Sequence, residues 1–134
     1  MFSIGRLLEE HEHLLSASRA LVDGLDRSSS YAESQAGKIR ARVAVLLNEH
    51  LTSDPEHLLS RLTPELRSQL PGYDRVLRST QALRFAYSAH TRRWTPSSAA
   101  SDWAGYRRAT RALVEKLGRH AALEETSYII QQPG

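Results

Sequence analysis

Apolar residues recur along this chain at alternating spacings of three and four, the period of a helix with one buried face. Ile4, Leu7, His11, Leu14, Ser18, Leu21 and Leu25 form the first such seam and predict a helix over residues 4–25. The run Asp26–Ser30 (DRSSS) is a loop signal that ends it. Ala36, Ile39, Val43, Leu46 and His50 form a second seam, predicting a helix over 33–53. The third runs through Tyr73, Val76, Thr80, Leu83, Tyr87, His90 and Trp94, over 73–94, and Thr95-Pro96-Ser97-Ser98 stops it. The fourth, Trp103, Tyr106, Thr110, Leu113, Leu117, His120 and Glu124, predicts a helix from 101 to 130 with Asp102 in its first turn. No run alternates with period two between turns, so no strand is expected.

Between the second and third helices the pattern breaks. Thr52-Ser53-Asp54-Pro55-Glu56 is a helix start: a capping side chain, a proline at the first helical position, then an acid. Thr63-Pro64-Glu65 repeats that signature, and Pro71-Gly72 closes the connection as a turn. One or two short helices are expected over 55–70. Four long helices with short connections predict an all-α, up-down-up-down four-helix bundle, with one domain spanning 1–134.

Each of the four seams carries a histidine, and two of these histidines have an acid four residues on. His50 precedes Asp54, and His120 precedes Glu124, so each pair stacks on one helix face. The two hairpins also look like copies offset by 70 residues: His50 falls on His120, Asp54 on Glu124, Val43 on Leu113 and Leu47 on Leu117. In an antiparallel hairpin with its turn near residue 30, His11 and His50 are level. His120 belongs at the same height, so three histidines and two carboxylates would converge inside the bundle. Charged groups in an apolar seam are costly unless paired or bound to metal. Imidazole and carboxylate together suit iron or zinc, and bridging acids favour a dinuclear site.

LLEEHEHLL at 7–15, NEHLTSD at 48–54 and GRHAALEE at 118–125 together resemble the hemerythrin-like, or HHE cation-binding, family over almost the whole chain. The resemblance implies a four-helix bundle holding iron, with His11, His50, Asp54, His120 and Glu124 at the metal-ligand positions and Glu125 as the alternative to Glu124. It implies binding or sensing of O2 or another small molecule, or iron storage, and no enzymatic turnover; zinc and manganese are the alternative ions. One part of the pattern is missing. The third helix should supply a histidine, and the equivalent level holds Thr80 and Gln81. The apolar stripe favours Thr80 as the inward residue, because Gln81 continues into the polar face of Arg84, Ser88 and Arg92. His90 faces inward but sits about 15 Å further along the helix. Asp54 has a second reading as the cap of the helix that begins at Pro55, since the residue before proline leaves helical geometry. The alternative to a metal centre is an interaction or signalling module that keeps the fold without the ion. His13 points away from His11 and reads as surface. His57 reads as surface or partly buried, and His90, Trp94 and Trp103 read as packing at the loop end. A phosphorylated His13 is the weakest idea, for nothing around it forms a phosphoacceptor context.

Composition removes other classes. There is no cysteine among the 134 residues, so disulfides, thiolate metal sites and cysteine nucleophiles are excluded. That fits a reducing compartment, and a cytoplasmic location is expected. No window approaches a membrane span, and the N-terminus lacks the pattern of a signal peptide. The net charge is only +3, and the arginines are interspersed with acids, which reads as solvated helix faces and predicts no nucleic-acid partner. Serine-hydrolase, P-loop and dinucleotide motifs are absent. The apolar residues of 55–71 would either cover the bundle end or serve a homodimer or protein partner.

Overall fold

The computed structural model describes residues 4–53 and 73–129, apart from the side chains of residues 4, 6, 7, 32, 33, 50–53, 73, 128 and 129. Asp54, the expected short helices over 55–70 and His57 lie outside the described residues. The chain is all-helical, with no strand among the described residues. Its helices are α1 (Ile4–Arg27), α2 (Tyr31–Ser34), α3 (Ala36–Ser53), α4 (Tyr73–Arg93), α5 (Pro96–Ser101) and α6 (Trp103–Ile129). None of them is long and apolar enough to cross a membrane.

The seams point inward. Leu14, Leu21 and Leu25 of α1 meet Val43 and Leu47 of α3, Leu83 of α4 and Leu117 of α6 in one apolar core. α1 packs along both α3 and α6, and α4 packs along α6. Cross-contacts set the directions. The indole N–H of Trp103, at the start of α6, donates to the carbonyl of Ser28, just past the end of α1 (3.3 Å). Arg107 and Arg111 donate to Asp26 Oδ1 at 3.1 and 2.6 Å. Arg107 first, then Arg111, holds the Asp26 carboxyl below its usual range. His11, near the other end of α1, meets the far end of α6. The two helices are therefore antiparallel. α4 runs antiparallel to α6 by the same test, because Ser79 meets His120 and His90 meets Thr110.

The long helices shift by a few residues at most from the sequence expectation at several ends, and two of the breaks have a clear local cause. The second long helix starts at Ala36, not at 33, because Gln35 adopts a left-handed φ of 54° and breaks the helix there. Ser34 stitches the break: its hydroxyl donates to the carbonyl of Tyr31 (2.6 Å) and accepts from the Ala36 N–H (3.1 Å). Thr95-Pro96-Ser97-Ser98 ends α4 and also begins α5. Thr95 Oγ1 accepts from the Ser98 N–H (3.2 Å), Ser98 Oγ accepts from the Thr95 N–H (2.9 Å), and Pro96 takes the first turn. This reciprocal capping box satisfies two donors that a helix start otherwise leaves orphaned.

Asp102 joins α5 to α6 and caps the latter, its Oδ1 accepting from the Gly105 N–H at 3.0 Å. A Cβ on Gly105 would collide with that carboxylate, so the cap and the glycine fit each other. Asp102→Ala is expected to lower stability by about 1 kcal/mol, the usual worth of such a cap. Urea unfolding would show it; a loss below a few tenths would mean that solvent serves the α6 terminus as well.

Candidate functional site

Polar side chains occupy the seams at one end of the core. Glu124 is 0% exposed, and His11 and His120 are each 2% exposed. They converge because residues 11 and 14 of α1 share a face with each other, and residues 117, 120 and 124 of α6 share the opposing one. His120 Nε2 lies 2.9 Å from Glu124 Oε1, one helical turn away. His11 Nε2 reaches the same oxygen from α1 at 3.3 Å. The other ring nitrogens are held as well: His11 Nδ1 lies 3.0 Å from Glu125 Oε1, and His120 Nδ1 lies 2.7 Å from Ser79 Oγ.

At His120 the Ser79 hydroxyl can donate to Nδ1, while Nε2, although close to Glu124 Oε1, makes no hydrogen bond of good geometry with it. His11 is different, because both of its ring nitrogens face carboxylates. A neutral imidazole has one N–H, and an ionised carboxylate only accepts. One of the two contacts therefore sets lone pair against lone pair. A second proton on the ring, a proton on either carboxylate, or a cation between the ring and Glu124 removes the conflict.

The residues expected at the site fall as follows. His11, His120 and Glu124 are brought together, and Glu125 joins them through His11 instead of standing in for Glu124. The His50 backbone lies in α3, but its side chain is outside the described residues, as is Asp54. Thr80 is buried and Gln81 exposed, as the apolar stripe predicts. The Thr80 hydroxyl is spent on the carbonyl of Val76 (2.9 Å), so it does not reach the cluster. The third-helix contribution is Ser79, which the seam places off the buried stripe. Its half-buried position at the edge of the α4–α6 contact is what lets it touch His120, and no sequence period would flag it. His13 is exposed. Among the described residues, no group of three or more His, Asp or Glu side chains is arranged to hold a metal ion as the side chains stand.

His90 sits away from this cluster, in the aromatic end of the core. Its Nε2 and Thr110 Oγ1 share a hydrogen bond at 3.0 Å, and its ring lies 5.9 Å from that of Tyr106. Burial first, and the Arg40 guanidinium second, lower its pKa from the usual 6.5 to about 4. The unfolded chain takes up this proton near 6.5, the folded chain only near 4, so stability falls as pH drops through that window. After discounting for partial exposure, about 1–2 kcal/mol is expected. Urea midpoints at pH 7 and pH 5 should differ more in the parent than in His90→Leu; equal shifts in both would refute the assignment.

No protein-family model, characterised protein or solved structure matches the chain.

Proposed function

We propose that the protein is an up-down-up-down four-helix bundle that binds a divalent cation, iron first and zinc or manganese as alternatives. His11, His120 and Glu124 would hold it, with His50 and Asp54 as further ligands on the strength of the hemerythrin-like resemblance. The observation that carries the reading is the position of His11, whose two ring nitrogens face Glu125 and Glu124 at 3.0 and 3.3 Å. That arrangement calls for a positive charge beside the ring, or for a proton on one of the two carboxylates. The donor chemistry fits a cation. Two imidazole Nε2 atoms point at one buried carboxylate oxygen, and each ring is anchored at Nδ1 by an acid or a hydroxyl, which is how ligand histidines are usually oriented. The present separations are those of hydrogen bonds, so an ion would replace the contacts to Glu124.

Iron held there would supply reversible binding of O2 or another small molecule, in a cytoplasmic protein that turns nothing over. The chain's own residues do the rest. Ser79 and Glu125 fix the two rings, and Leu14, Val76, Leu117 and Ala121, all buried, keep water from the donors.

A second reading rests on the same histidine. A doubly protonated His11 shared by Glu124 and Glu125 also closes the cluster, and leaves a metal-free helical interaction module. Metal titration separates the two. Chelator-stripped protein, titrated anaerobically with Fe(II) and in parallel with Co(II) and Zn(II), is expected to bind one or two equivalents. His120→Ala should abolish binding, and Ser79→Ala should weaken it by about tenfold or more. Folded protein that binds none of the three ions at millimolar concentration would leave the metal-free module.

A further inference from the structure

A second feature lies one to two turns above the His–Glu cluster and belongs to neither reading. It is a cavity of about 370 Å³ inside the helices. That is within the roughly 300–1,000 Å³ of small-molecule sites. A diatomic would leave it nearly empty. Among the described residues it opens between α3 and α4, which pack less closely on each other than α1 does on α3 and α6, or α4 on α6. Small residues, Gly37, Ala41 and Ala44, line the α3 side of that gap. Ala41 and Thr91 are exposed and mark its mouth. The deep walls are aliphatic: Leu21, Val43, Leu47, Leu83 and Leu117.

Among the polar side chains in this lining, His90 and Thr110 are paired with each other, and two others, Arg40 and Ser18, stand at different depths. Near the mouth is Arg40. One of its N–H groups donates to the carbonyl of Trp94 (2.8 Å), and its guanidinium lies 5.6 Å from the Tyr106 ring centroid. No carboxylate pairs with it among the described residues, so its charge and most of its five donors are available. Next to it, His90 is kept neutral and adds no competing cation. Deeper in is Ser18, on α1. It is 0% exposed, it lines the cavity, and its hydroxyl has no hydrogen-bond partner among the described residues. A buried hydroxyl without a partner is a standing cost that a cavity occupant can remove. The levels of the two groups are set by Thr110, which pairs with His90 beside Arg40, and Leu117, which is level with Ser18. Seven helical residues separate them, or about 10 Å.

We propose that the cavity binds an apolar monocarboxylate of medium-chain length bearing a second oxygen near its far end. The carboxylate meets Arg40 at the mouth, the chain fills the aliphatic walls, and the distal oxygen accepts from or donates to Ser18. The cation reading plays no part in this assignment. Both tryptophans of the chain, Trp94 and Trp103, sit at the mouth end against Tyr106, so their fluorescence reports occupancy.

Titration of the chelator-treated full chain with 8-hydroxyoctanoate, octanoate and octanol, followed by tryptophan fluorescence and calorimetry, tests it. The expected order of affinity is hydroxy acid, then acid, then alcohol, with about tenfold between the two acids and octanol. Arg40→Gln should remove the advantage of the acids and leave octanol unchanged. Ser18→Ala should bring 8-hydroxyoctanoate down to octanoate and leave octanoate unchanged. Ala44→Phe, which fills the gap from α3, should abolish all three titrations while the circular dichroism melt stays cooperative. Equal affinity for acid and alcohol in the parent, or no saturable binding of any probe at millimolar concentration, would overturn the proposal. So would undiminished binding to a folded Ala44→Phe variant.

Discussion

Glu124→Ala is expected to lower the unfolding free energy by about 3–5 kcal/mol, the range for removing one partner of a buried ionic cluster. Glu124 is 0% exposed and receives imidazoles from two helices, His120 at 2.9 Å and His11 at 3.3 Å. The substitution takes away the acceptor both rings face and leaves a void where the carboxylate stood. It also loosens the contact between α1 and α6 at this end. Glu125 supplies the comparison. It touches the same His11, but its side chain is 34% exposed, so water can replace it. Glu125→Ala should cost about 1 kcal/mol or less. Paired urea denaturation curves on chelator-treated protein decide the matter. If the two variants lose equal stability, or Glu124→Ala loses less than 1 kcal/mol, the buried cluster does not hold these helices together. Glu124→Gln then isolates the charge: shape is kept, and cation affinity should still fall by tenfold or more if an ion is held there.

The helices were legible because their signal is repeated and redundant. On α1, every described seam position from His11 to Leu25 is buried. On α4 the stripe chose Thr80 over Gln81 as the inward residue, and the exposed Gln81 agrees. Single-residue backbone events were not legible. Gln35 at a φ of 54° is one such event, since glutamine is not a residue that announces a left-handed turn. The capping box at Thr95 could have been read from the sequence, because T-P-x-S carries a cap, a first-turn proline and a partner three residues on. It follows directly on the end of α4, so the same four residues read equally as a stop. At the site, His11, His120 and Glu124 were found by periodicity because they lie on seams. Ser79 was not, because it reaches His120 from the flank of α4. The cavity escaped the sequence entirely, since it depends on how closely α3 and α4 approach each other. A seam pattern says which face is buried, not how far away its partner stands.

Tyr106→Ala is expected to cost about 3–5 kcal/mol, as for other fully buried aromatic side chains truncated to alanine. The ring is 0% exposed and is the hub of the loop end of the core. Tyr31, His90, Trp94 and Trp103 surround it with centroids 6.0, 5.9, 5.7 and 6.0 Å away, and the Arg40 guanidinium lies 5.6 Å from its centre. These neighbours come from α2, α3, α4 and α6 and the turn after α4, so one truncation unpacks the junction that α5 and Asp102 otherwise organise. The hydroxyl tells the opposite story. It is buried and makes no hydrogen bond of good geometry among the described residues, for Thr110 is turned to His90. Burial raises its pKa, against the pull of Arg40, so it stays protonated and neutral. Tyr106→Phe should therefore leave stability unchanged or raise it by about 1–3 kcal/mol, because it removes a buried polar atom left without a partner. Denaturation of the two variants, with tryptophan emission as a second probe, separates ring from hydroxyl. A Phe variant as damaged as the Ala variant would show that the hydroxyl, and not the aromatic packing, holds this end together.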